Sequence, residues 1–245
     1  VRSAATIPTA PATRSDPDPG GWLLDAARRW HAAGDPAAAG RAVAADLAAV
    51  LPAACSVAVT LLGPGRVPLE PAGSAGPAAA LDAVQVRLST GPLAGALAGT
   101  PSGSADLGRD LRWPALAAPA AAARVRRATC LPLDTGRQVV GALSVYVTGS
   151  GAGPDRATLL PVAGHAALAL RTLQRTQHLT VALASRDVIG QAKGVLMERY
   201  RITADAAFGI LVRASHDARR KVRDVAALVT ETGETPPPSP PDGPR

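Results

Sequence analysis

The sequence predicts an α+β fold: an antiparallel sheet with flanking helices, joined by one long helix to a small C-terminal bundle of three helices. Three observations predict it. Val57, Val59 and Leu61 alternate within residues 55–62, the two-residue period of a strand. Residues 128–133 and 138–148 flank the turn Asp134-Thr135-Gly136-Arg137, and Val139, Gly141, Leu143, Val145 and Val147 share one face of the second strand, the pattern of a hairpin. From Leu173 to Tyr200 there is neither proline nor a cluster of turn residues, so a single helix is expected to link the two halves.

Composition bounds the rest. The chain has 245 residues, enough to bury a core, and is 47% hydrophobic but only 2% aromatic, so that core must be built from Ala, Val and Leu. A net charge of +7 and a pI near 10.6 fit an anionic partner such as nucleic acid. No stretch approaches the roughly 18 apolar residues of a membrane span, and the first residues lack the order of a signal peptide, so a cytoplasmic protein with no membrane partner is expected. Cys55 and Cys130 lie far apart, without the spacing of a zinc or redox motif, and read as buried thiols.

Taken in order, residues 1–19 are rich in Pro, Ser, Thr and Asp and read as a disordered arm. Leu23, Leu24, Ala27 and Trp30, then Val43, Leu47 and Val50, recur at helical spacing on either side of the break at residues 34–36, which gives two helices. After the strand at 55–62 and a turn at 63–65, residues 66–70 are expected to form the paired strand and residues 83–88 another short one. Gly91-Pro92 opens a short helix, with proline where its missing N–H costs nothing. Residues 101–116 read as loop and 119–125 as a short helix. Beyond the hairpin, helix resumes at Thr158. The whole describes a sheet covered on one face.

The linking helix carries two apolar stripes. Val181, Ala184, Val188 and Val195 have the spacing of a coiled-coil seam, and Leu179, Leu183, Ile189, Leu196 and Met197 form a second stripe. One is expected to be covered by the chain itself and the other by a second subunit, making a homodimer. Thr203 is placed to cap the next helix, with Asp205 in its first turn. A break within residues 215–220 then leads to a third amphipathic helix through Val222, Val225, Ala226 and Val229. Residues 235–245 are a Pro-rich tail, disordered by composition.

Scarce residues gather in this C-terminal part. Lys193 and Lys221 are the only lysines, Met197 the only methionine and Phe208 the only phenylalanine. Met197 and Phe208 are expected in the bundle core. Cations are supplied by Arg213, Arg219, Arg220, Lys221 and Arg223 near the junction of the last two helices, and by Arg186 and Lys193 on the linking helix. Gly190 and Gly194 remove side chains there and would let another backbone, or RNA, approach, while Ser215 could donate to a phosphate or cap a helix end.

Two resemblances attach to these residues. VRLSTGPLAGALAGTP, DLRWPAL and TCLPLDTGRQVVGALSVY, within residues 22–172, resemble a GAF domain of bacterial regulators. The resemblance implies a sensing or dimerising module with a pocket between sheet and crossover segment. It assigns no cofactor and leaves open an unidentified small-molecule ligand. Leu93 stands where many GAF domains carry Cys, so thiol chemistry at that position is absent.

ALASRDVIGQAKGVLMERYRITADAAFGILVRAS followed by RKVRDVAALVTETG resembles the ANTAR domain, an RNA-binding module of transcription antitermination regulators, within residues 173–234. It implies a partner made of tandem hairpins in nascent transcripts, held so that a terminator cannot form. The candidate RNA-binding residues are Arg186, Gly190, Lys193, Gly194, Arg213, Ser215, Arg219, Arg220, Lys221 and Arg223. Where ANTAR domains often carry Asn, this chain has Arg219.

Two other readings compete. The helical C-terminus could dimerise, or bind DNA or protein, rather than RNA, although residues 222–230 are too apolar for a good recognition helix. An enzyme is not expected: His31, His165, His178 and His216 are scattered and there is no phosphate-cradling glycine loop.

Overall fold

Asp35 separates the first two helices, α1 (Pro19–His31) and α2 (Pro36–Val50). Its carboxylate accepts the Ala38 N–H at 2.8 Å, and Pro36 sits at the start of α2 where no N–H is needed. Trp30 is fully buried, with its indole N–H donating to Asp46 at 2.9 Å. The computed structural model describes residues 19–234; residues 1–18 of the expected arm and the tail from 235 lie outside them.

Strand β1 (Cys55–Leu61) is buried along its whole length rather than on alternate residues. The strand expected at 66–70 does not form. Pro64–Arg66 makes a 3-10 turn, a single bridge joins Leu62 to Pro68, and pairing resumes only at β2 (Ala72–Gly73), opposite Val59 and Ala58. Pro68 and Pro71 have no N–H to give a ladder, which is why the pairing is so short.

Residues 83–88, expected as a strand, belong to helix α3 (Ala78–Leu88). Its buried residues Ala78, Leu81, Asp82 and Gln85 follow helical spacing. Helix α4 (Pro92–Leu97) starts where expected. Gly91 before it has φ 105, and a side chain there would collide with Gln85. The predicted loop 101–116 contains an edge strand, β3 (Ser102–Ser104), and a 3-10 turn at Pro114–Leu116, followed by helix α5 (Ala117–Ala122).

The hairpin is longer than its sequence signal, with β4 (Val125–Asp134) and β5 (Val139–Thr148) in register from Arg127↔Val147 to Leu133↔Gly141. β5 also pairs with β1 from Cys55↔Val147 to Leu61↔Gly141. The five strands run antiparallel in the order β2-β1-β5-β4-β3. Helix α6 (Arg156–Tyr200) follows as one 45-residue element.

The sheet is covered on both faces, not one. Val57, Val59, Leu143 and Val145 pack with Trp30, Val43 and Leu47 of the first two helices and with Leu159, Ala166 and Leu170 of α6. On the other face Ala58, Ala128 and Tyr146 meet Leu81, Leu116 and Ala120, and Cys130 and Ala142 meet Leu93 and Ala96. The second layer escapes a periodicity argument because it is made of short helices with polar residues on their inner side.

Those polar residues fill the space that the GAF resemblance assigns to a pocket. Tyr146 donates its hydroxyl to Asp82 at 2.5 Å, Thr60 donates to the same carboxylate at 2.8 Å, and Gln85 donates to the Tyr146 oxygen at 2.5 Å. The Gln85 carbonyl accepts the Leu93 N–H at 3.0 Å. What remains open beside Gln85 and Leu93 is a recess of about 200 Å³, below the roughly 300–1,000 Å³ of typical small-molecule sites. Burial pushes the Asp82 carboxyl up to about 6, against the pull of the hydrogen bonds from Tyr146 and Thr60. Cys55 and Cys130 are buried free thiols, both pushed up by desolvation and so kept protonated.

The chain divides into two compact units after Leu173, and α6 contributes residues to each. In the second unit α6 is followed by α7 (Ala204–Asp217) and α8 (Val222–Thr232). Ala192, Leu196, Ala207, Leu211, Val225, Ala226 and Val229 form its core, all at 0% exposure, with Val188, Ile189 and Val195 packed against it. Among the described residues no helix is long and apolar enough to cross a membrane.

Candidate nucleic-acid interface

Thr203 starts α7 as expected, its hydroxyl accepting the Ala206 N–H at 3.3 Å. The helix ends at Asp217, and Arg219 turns the chain with φ 50, a left-handed conformation. Asn tolerates that conformation far better than other non-glycine residues, so an Asn at this position has a backbone reason besides any role of its amide. Ser215 takes the capping role: its hydroxyl donates to the Arg220 carbonyl at 2.6 Å and holds the junction closed.

That junction leads directly into the N-terminus of α8. Lys221 occupies the cap position and no side chain caps the helix. The positive end of the α8 dipole and its first N–H groups therefore lie among Arg220, Lys221 and Arg223, the arrangement that receives a phosphate. Arg219, Arg220 and Lys221 are exposed; Arg223 is half-buried and pairs with Asp224 at 3.3 Å, which offsets one of the charges. Arg213 is exposed on α7.

The remaining candidates form a separate group on α6. At 100° per residue, Leu179, Leu183, Arg186, Gly190, Lys193, Met197 and Tyr200 fall in a strip about 100° wide, with Gly194 at its margin. The strip adjoins the side that supplies Ala192 and Leu196 to the core, its midline about 110° round the helix from theirs. Its members are separated alternately by four and three residues, the spacing of a helix-pairing seam. A side chain built on Gly190 or Gly194 would meet nothing within 4 Å.

This redraws both stripes. Val188 and Val195, expected in a coiled-coil seam, pack inside the chain's own bundle, as do Ile189 and Leu196 from the second stripe. Leu179, Leu183 and Met197 stay outside, Leu183 at 63% exposure. Met197 and Phe208, expected in the core, are 37% and 43% exposed. The sequence reading also missed Arg199, whose guanidinium donates to the Gly233 carbonyl and ties the end of α6 to the cap of α8. A basic residue in the last turn of a helix was the available signal.

Fold and site together define a two-unit chain: an antiparallel-sheet unit, and a helical bundle with a cationic, uncapped helix N-terminus. Residues 177–229 match the ANTAR domain family, whose members are RNA-binding modules of antitermination regulators. Among solved structures, the chain is similar to the blue-light absorbing form of the PixJ GAF-domain of Thermosynechococcus elongatus, at 15% identity and a TM-score of 0.39, covering 66% of this chain and 95% of that one. No curated protein matches the chain.

Proposed function

We propose that the chain is a non-enzymatic, cytoplasmic regulator whose second unit binds hairpins in nascent transcripts and prevents termination, under the control of a signal received by a GAF-like first unit. The observation that carries the reading is the uncapped N-terminus of α8 among Arg220, Lys221 and Arg223, within the segment that matches the ANTAR family. An RNA loop presents phosphates on a splayed backbone, and helix N–H groups with flanking cations engage them without reading a groove.

The strip on α6 supports pairing with a second copy. Its leucines are exposed and its glycines would admit a neighbouring backbone. Arg186 and Lys193 in the same strip weaken such a pair by like-charge repulsion, so pairing is marginal without a polyanion and strengthened by one. Two copies on two linked hairpins then gain from effective concentration.

The test is binding to a tandem-hairpin RNA and to duplex DNA of equal length across a salt series, with mass read by light scattering. Selective RNA binding by two chains is expected. The double variant Arg220→Ala/Lys221→Ala should lower affinity at least about tenfold and reduce the salt slope by roughly two. Equal weak binding to both nucleic acids, unchanged in the variant, would leave a dimerising or protein-binding output instead.

A further inference from the structure

The first unit holds a cleft of about 380 Å³ where the edge of the sheet meets the start of α6. Val145 and Val147 of β5, both nearly inaccessible, are among its walls. Three arginines line it: Arg112, Arg127 and Arg156. Arg112 is committed, bonded to Asp110 at 2.7 Å and to the Gly103 carbonyl at 2.8 Å and stacked on Trp113. Arg127 and Arg156 have no ion pair or hydrogen bond among the described residues, and no acidic side chain lines the cleft.

Two like charges directed at one cleft without an acid repel each other. Arg156 is also the first residue of α6, where a cation opposes the helix dipole; the one acid at that end is Asp155, at the cap, which does not line the cleft. An anion in the cleft would relieve both costs. The hydroxyl of Thr129, on the same wall, makes no hydrogen bond among the described residues and supplies a neutral donor.

We propose that this cleft binds a small phosphorylated metabolite, its phosphate held by Arg127, Arg156 and Thr129 and its carbon skeleton against the partly exposed Pro101 and Pro154. The site deepens the sensor part of the reading above by naming a ligand class, and rests on that reading only for the consequence that binding is a signal.

The experiment is calorimetric titration of the full chain with inorganic phosphate, adenosine 5′-monophosphate and uncharged adenosine, at ionic strength fixed with chloride. Phosphate and the monophosphate are expected to bind, the monophosphate more tightly, and adenosine not to bind. Arg127→Gln/Arg156→Gln should weaken monophosphate binding about a hundredfold, about tenfold per charge-assisted contact. Thr129→Val, whose shape barely changes, should weaken it about fivefold. Arg87→Gln, at an exposed arginine outside both the cleft and the α8 junction, should leave it unchanged.

No binding of the monophosphate at millimolar concentration, or wild-type binding by the Arg127/Arg156 double variant, would overturn the proposal. Joint loss of RNA and phosphate binding in that double variant would also overturn it, by making the cleft part of the RNA surface. RNA binding lost only in Arg220→Ala/Lys221→Ala leaves the phosphate site standing on its own result.

Discussion

Asp82 is a carboxyl at 0% exposure with hydroxyl donors from Tyr146 and Thr60 and no cation beside it among the described residues. Its folded value of about 6 lies above the ordinary 3.8, so folding takes up a proton between the two. Stability contributed by this group is therefore full below about 3.8 and is lost as pH rises through about 6, a change of about 3 kcal/mol. Denaturant unfolding followed from pH 4 to 7.5 should show that loss in the first unit, and Asp82→Asn should flatten it. Arg219 gives a second prediction at this scale. At φ 50 an arginine is strained, and Arg219→Asn should stabilise the second unit by up to about 1 kcal/mol in thermal unfolding. Asp82 does not announce itself in the sequence, where it reads as one more solvated acid; Arg219 is marked there only as a departure from the Asn common in ANTAR domains, and a left-handed arginine carries no glycine to show its backbone.

The elements most legible in the sequence are those whose apolar period is unbroken. The hairpin of β4 and β5, the capped start of α7 and the continuity of α6 from Leu173 to Tyr200 follow from alternation, a threonine and the absence of proline in that stretch; Pro161 lies inside the helix before it. Helix α3 reads as a strand because Val84, Val86 and Leu88 alternate while its inward side includes Asp82 and Gln85. The Ser-Gly-Ser sequence of β3 has no alternation to read; its glycine is there because a Cβ would collide with the Ala128 carbonyl. The cationic junction was legible as composition, but the uncapped end of α8 that focuses it was not.

Gly190 and Gly194 allow a prediction for α6. Both face open space, so alanine fits, and each replacement should stabilise the helix by about 1 kcal/mol. The same methyl groups hold a second backbone away. Gly190→Ala/Gly194→Ala should therefore raise the melting temperature of the isolated chain while reducing two-chain assembly on RNA, measured by light scattering. A variant that assembles as well as the wild type would remove the strip from the interface.

Across the molecule, positive charge does not point to one place. Residues 19–173 hold thirteen basic and nine acidic residues, and residues 174–234 ten and seven, so both units carry an excess. Net charge alone therefore suggests a polyanion partner without locating it, and location comes from the uncapped α8 and the arginine-lined cleft. The two units also differ in how much core they can lose. Among the described residues the second has seven fully buried apolar residues, so Leu196→Ala, at about 2–5 kcal/mol, should unfold it and abolish RNA binding. Circular dichroism should then retain the melting transition of the sheet unit.

The sheet order has a consequence for synthesis. β1 pairs with β5 across a long stretch of sequence, Cys55 opposite Val147. On the ribosome the edge of β1 that pairs with β5 must wait, its backbone donors there unmatched, until the chain as far as Thr148 has emerged. The helices of the second unit close through much shorter contacts, from Ala192 to Val229. Premature release within β5 would strand an exposed β1 and invite aggregation, so nascent chains should need chaperone protection most up to that point and much less once α6 is being made.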